Sequence, residues 1–150
     1  MKKFFFSLDT VLSYKEQVLD GLKAEHAKVL VRLRQCEDEI DRLENVYQNG
    51  AKEFDEKKRT GIDVQDIRIY DNFLRGVRQQ IKRKREELLE IKKEEEKRRE
   101  KVVEAKKESS SLDKLKEKQL EEYNKQMQKE NEQMIEEFVS TQSAFARMNG

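Results

Sequence analysis

The residues that could do chemistry in this chain are few and scattered. One histidine, His26, and one cysteine, Cys36, stand ten residues apart. A structural zinc site needs about four ligands converging on one point, and a serine-type triad needs a pocket that a two-helix rod lacks. Both residues fall instead on an apolar helical seam, so they read as core-lining side chains. No glycine-rich phosphate loop occurs, and the chain is not expected to hydrolyse nucleotide. No catalytic residue, metal or cofactor is expected. The run Lys82-Arg83-Lys84-Arg85 looks like a nucleic-acid or nuclear-localisation patch. Acidic Glu86, Glu87 and Glu90 follow, and helical spacing spreads the cations around the axis, so it reads as solvated helix surface. Ser109-Ser110-Ser111 could be a linker, but the charged helical pattern resumes on both sides. It reads as a weak point in a continuous helix.

The elements that carry these residues follow from composition and period. Of 150 residues, 43% are charged and 35% hydrophobic, too little apolar surface for a compact multilayer core. Disordered polyampholyte and long helices meeting along a narrow seam both fit such numbers, and periodicity decides between them. The 33 basic and 32 acidic side chains are interspersed, so no net field draws the chain to nucleic acid or an anionic membrane. A single cysteine rules out an internal disulfide framework and fits a reducing cytoplasm. The opening Met1-Lys2-Lys3-Phe4-Phe5-Phe6 is broken by Ser7 and Asp9, short of the ~7–15 apolar residues of a signal peptide. No stretch approaches the ~18 apolar residues of a membrane span. The chain reads as soluble and intracellular, without direct membrane insertion.

An apolar seam runs from Leu8 at alternating steps of three and four. One row holds Leu12, Leu19, His26, Leu33, Ile40, Tyr47 and Phe54; the other holds Leu8, Lys15, Leu22, Val29, Cys36, Leu43 and Gly50. A heptad phase held for more than six repeats is a coiled-coil signal, which disorder does not maintain. The seam breaks at residues 56–63, where Lys57, Lys58 and Arg59 complement a helix C-terminus. Gly61 can supply a left-handed cap there, and Asp63 with Asp66 can open the next helix. A second seam follows through Ile67, Tyr70, Leu74, Val77, Ile81, Lys84, Leu88 and Ile91, weakens at Glu95 and Arg98, and recovers at Val102, Ala105 and Leu112. Folding at Gly61 sets Leu43 level with Val77 and Ile81, Leu19 level with Val102 and Ala105, and His26 near the polar stretch 94–99. The expectation is an all-α fold: a long antiparallel two-helix coiled coil, or helical hairpin, with an extended C-terminal helix. Its single domain comprises helix 1 over about 5–57, a turn over about 58–63 and helix 2 over about 64–147. The named core is Leu12, Leu19, Leu33, Ile40, Leu43, Leu74, Ile81 and Leu88.

The helices are unequal. At ~1.5 Å per residue the first spans roughly 80 Å and the second nearly 130 Å, so only its portion to about Glu117 can face the first. Beyond lies a further stripe: Leu120, Tyr123 or Asn124, Met127, Asn131, Met134, Phe138, Thr141, Phe145 and Met148. The step from Leu112 to Leu120 implies a phase slip near residues 109–111. Pliable methionines suit a binding face. Near the turn, Ile69 and Phe73 lie off the seam at helical spacing with Val77, giving either a broader core or a partner face.

Three stretches resemble the FliJ family, the coiled-coil component of the bacterial flagellar protein-export apparatus. The opening Phe4-Phe5-Phe6-Ser7-Leu8-Asp9-Thr10-Val11-Leu12 is similar to the family's aromatic start and Leu-x-x-Val/Leu-Leu pattern. The segment Gly61-Ile62-Asp63 through Tyr70-Asp71-Asn72-Phe73 is similar to its Gly-Ile/Met turn followed by Tyr-x-x-Phe. Leu112-Asp113-Lys114-Leu115-Lys116-Glu117 is like its Leu-Glu-Lys-Leu-Lys-Glu block. The resemblance implies a hairpin built like the central stalk of a rotary ATPase, with no enzymatic activity of its own. It implies three partners: the flagellar export ATPase hexamer, whose assembly or turnover the stalk promotes, the export-gate membrane protein, and empty export chaperones. It places the protein in the cytoplasm, peripherally at the membrane face of the flagellar base.

On that resemblance the gate contact falls on Phe73 and Val77, followed on the same face by Gln80 and Lys84, which are more polar than the family's pattern. The ring-facing candidates are Met127, Met134, Phe138 and Phe145. Other readings of the same residues are the stalk of a virulence secretion system, a rotary-ATPase stalk subunit, and a structural spacer that dimerises through the C-terminal stripe.

Overall fold

The computed structural model describes residues 2–149. It is all-α among these residues, with helix α1 over Asp9–Thr60 and helix α2 over Val64–Asn149. The expected helical hairpin is therefore present. By internal contacts the chain divides into two compact units, Asp20–Val103 and the residues up to Leu19 together with those from Glu104 onward.

In the unit Asp20–Val103, the connection between helices is the short segment Gly61–Asp63. Helix α1 keeps Lys57, Lys58 and Arg59 in its last turn, where cations meet the unpaired carbonyls. It runs to Thr60 rather than stopping near residue 57, and the Thr60 hydroxyl donates back to the carbonyls of Glu56 and Lys57 at 3.4 and 3.3 Å. Gly61 then takes a φ of 101°, the left-handed conformation that a side chain would oppose. Asp66 lies in the first turn of α2, and the Asp63 carbonyl accepts from the Ile67 amide at 3.0 Å.

The seam packs as heptads do. Val29, Cys36, Ile40 and Ile91 form one buried cluster, flanked by half-buried Leu33 and Leu88. Leu43, Val77 and Ile81 form a second, flanked by Val46 and Tyr47. The alignment of Leu43 with Val77 and Ile81 is thus as the sequence implies. Leu74 is half-buried beside it, its side chain against Gly50 of α1. Each fully buried aliphatic contributes on the order of 1.5–3 kcal/mol, and the narrow seam compensates by repetition. Cross-helix polar pairs flank it: Arg85 with Glu44 at 2.7 Å, Arg32 with Glu94 at 2.9 Å, and Tyr70 with Glu53 at 3.0 Å. His26 meets Glu95 at 3.2 Å, inside the polar stretch anticipated for it.

In the other unit, Phe6, Leu12, Leu19 and Ala105 are buried, with Ser109 the one buried polar residue there among those described. Helix α1 begins at Asp9, later than the expected start near residue 5. The reason lies in period. Phe4 is half-buried, Phe5 is 81% exposed and Phe6 only 3% exposed, an alternation of two that an extended chain makes and a helix cannot. A turn at Ser7 and Leu8 leads into the helix, with the Asp9 amide bonded to the Phe6 carbonyl at 3.1 Å.

The expected phase slip near the serines does not occur. Inward positions on α2 run Ala105, Ser109, Leu112, Lys116, Gln119 and Tyr123, an unbroken alternation of four and three. Leu120, whose spacing from Leu112 suggested the slip, is left exposed, as is Leu115. Lys116 can occupy a seam position because its ammonium reaches Asp9 at 2.8 Å while its aliphatic stem covers apolar surface. Ser111 donates to the Lys107 carbonyl at 2.9 Å, and α2 passes through the three serines without interruption.

Candidate interaction surfaces

The side chains that could have done chemistry are occupied by packing. Cys36 is buried, with its sulfur 3.5 Å from the Lys84 carbonyl, and burial pushes its thiol pKa up. Among the described residues no group of three or more potential ligands converges on a metal position. The basic run is dispersed as its spacing implies: Lys84 pairs with Glu87 at 3.1 Å and Arg85 with Glu44, while Lys82 and Arg83 face solvent. Arg78 lies over the Tyr47 ring at 5.4 Å and donates to its hydroxyl. That pair lines a shallow groove with Glu44, Gln48, Ile81 and Arg85, whose charges answer one another across the helices.

Two apolar surfaces contain the residues that the sequence singles out for partners. The first lies on α2 just after the turn. Ile69 is exposed and Phe73 is 48% exposed, and its ring sits against the backbone of α1: a Cβ at Gly50 would lie 3.2 Å from Phe73 Cε1 and from Leu74 Cδ2. Of the four positions assigned to the gate contact, Phe73 and Gln80 face outward and Lys84 is half-buried beside Glu87. Val77 is 6% exposed and packs with Leu43 and Ile81, so it supports this surface from beneath.

The second is the end of α2. From Asn131 onward every described residue is exposed. Met134, Phe138, Phe145 and Met148 are uncovered, together with Ile135 and Val139, which widen the stripe beyond the residues its heptad phase singles out. Met127 differs from the other ring-facing candidates in being half-buried. A bare apolar helix face of this kind is the ordinary mark of a binding surface.

A third group escaped the sequence reading. The Phe4 ring lies 5.6 Å from that of Tyr123, tilted by 56°, and the Tyr123 hydroxyl donates to the Lys2 carbonyl. Residues 2–8 thereby continue the cover of α2 past Lys116, beyond the point where α1 itself begins. The sequence holds no periodic signal for it, because three consecutive phenylalanines fit an extended start and a helix start equally.

Fold and surfaces together define a coiled-coil helical hairpin whose polar pairs flank an apolar seam and whose second helix carries exposed apolar residues after the turn and at its far end. No helix among the described residues is long and apolar enough to cross a membrane. The family model described as Flagellar FliJ protein matches residues 4–148, and the chain belongs to that family, the coiled-coil components of flagellar protein export. Comparisons with curated proteins and with solved structures gave no match.

Proposed function

We propose that this protein is the stalk-like coupling element of flagellar export, joining the export ATPase hexamer to the export gate. In this reading the end of α2 enters the ring. Met134, Phe138 and Phe145, with Met127 at the inner edge, pack against ring subunits and promote assembly and turnover. A stalk performs no bond chemistry. Its unlike faces give different free energies of contact with different subunit conformations, and that difference shifts their populations. Phe73 and Gln80 form the gate-facing surface, with Lys84 at its margin and Val77 holding the Phe73 helix turn in place. Empty export chaperones are further partners, and the working location is the cytoplasmic face of the membrane at the flagellar base.

The observation that carries this reading is the bare apolar stripe from Met134 to Met148 on a chain that matches the FliJ family almost from end to end. The test is the ATPase rate of the cognate export ATPase with and without the full chain, and with the triple variant Met134→Ser, Phe138→Ser, Phe145→Ser. Wild type should stimulate, and the variant should need at least roughly tenfold more protein for the same rate, as loss of a buried aromatic cluster implies. Absence of stimulation by wild type with competent hexamers would overturn the reading. A concentration-dependent dimer abolished by the same substitutions would then assign the stripe to self-association.

A further inference from the structure

The extended segment before α1 occupies the same face of α2 that the bare stripe continues. At about 100° per residue, Tyr123, Met127, Met134, Phe138, Thr141, Phe145 and Met148 fall within an arc of about 80°. They form one apolar face. Its distal part is uncovered, while its proximal part lies under residues 2–8, through the Phe4–Tyr123 ring contact and the bond from the Tyr123 hydroxyl to Lys2.

The anchors of this segment are local and few. Phe6 is buried, Phe4 is half-buried against Tyr123, and Asp9 pairs with Lys116 where both are solvent-accessible. Phe5 points away and makes no contribution to the cover. Residues 2–6 form no helical turn, so ordering them costs backbone entropy that only these contacts offset. Segments held in this way open locally without the rest of the fold.

We propose that Lys2–Leu8 is a displaceable strap, an intramolecular competitor for the proximal end of the α2 stripe. A partner that packs along the face from Tyr123 to Phe145 must first lift it. The apparent affinity of that partner is then the intrinsic affinity multiplied by the fraction of molecules with the strap open. The strap thus sets the threshold at which the stripe is engaged, and its release lengthens the binding face by Tyr123 and Met127.

Two variants of the full chain test this, Phe4→Ala, which removes the ring contact alone, and Phe6→Ala, which removes the buried anchor. Hydrogen exchange of the free protein comes first. Amides of residues 119–130 should exchange at least roughly tenfold faster in both variants, while those of Asp20–Val103 keep their wild-type rates. Unchanged rates at 119–130, or a loss of protection throughout Asp20–Val103, would overturn the strap as an independent unit.

The second measurement rests on the stalk reading: titration of export-ATPase stimulation. The variants should reach half-maximal stimulation at a severalfold lower concentration than wild type. An equal or higher concentration would overturn competition between strap and partner. If wild type itself gives no stimulation, the stalk reading falls, and the exchange pattern alone decides the strap.

Discussion

At the scale of single residues, the side chains with chemical potential have been turned to structural use, and Cys36 carries the clearest consequence. Burial disfavours its thiolate, and Glu87 adds to the effect, so the folded state holds the proton above the ordinary value of 9.0. The folded pKa is raised relative to the unfolded one. Its stabilising contribution is therefore complete below about pH 9 and is lost as pH rises through the raised value. Chemical denaturation of wild type should show stability falling on this alkaline limb, and Cys36→Ala should lack that component of the slope. Alkylation of the folded protein near pH 8 should be at least roughly tenfold slower than of the unfolded chain, since the thiol reacts only after local opening. The core-lining character of His26 and Cys36 was legible because His26 sits in phase with Leu19, Leu22 and Leu33, and Cys36 with Leu33, Ile40 and Leu43. That His26 lies level with the polar stretch 94–99 was legible too, because counting back from Gly61 sets them there, but its contact with Glu95 was not.

At the scale of elements, the glycines separate intrinsic helix preference from packing. Gly21 and Gly76 lie inside helices with open space where a Cβ would be, so Ala there should stabilise by roughly 1 kcal/mol each. Gly50→Ala makes the same propensity gain but meets Phe73 and Leu74 at 3.2 Å. Those tips must give by a few tenths of an ångström, and the net gain should fall at least ~0.5 kcal/mol short of that for Gly76→Ala. Urea denaturation of the three single variants checks this ordering. Such close approach explains why a glycine serves at a heptad position. The two long helices were legible because six repeats of one phase leave few alternatives. Two features were not. The leucines at 115 and 120 outrank Lys116 and Gln119 on any hydrophobicity scale, yet Asp9 gives the Lys116 ammonium a partner and keeps the seam in phase. The extended start was hidden because three aromatic residues do not declare a period.

At the scale of the whole molecule, the two units differ in how much apolar surface they bury. Asp20–Val103 holds Val29, Cys36, Ile40, Leu43, Phe54, Val77, Ile81 and Ile91 in its interior, whereas the other holds Phe6, Leu12, Leu19 and Ala105. Amides of α2 beyond Glu104 should therefore exchange faster than those between residues 74 and 91, by roughly 10²-fold or more if the difference is only a few kcal/mol. Native-state exchange followed by peptide mapping measures both in one sample. The exposed apolar surfaces were legible only as apolar excess, and periodicity carries no information about what would cover them. Tyr123 also imposes a schedule. It lies 121 residues after the Lys2 carbonyl that it contacts, so Phe4 leaves the ribosome long before its cover exists. At 5–20 residues per second the delay is roughly 6–24 s. For that interval a nascent chain displays an aromatic triplet that would favour clumping, with only Lys2 and Lys3 beside it as charged gatekeepers. Replacing those two lysines with neutral residues would leave every contact of the finished fold in place and act on yield alone.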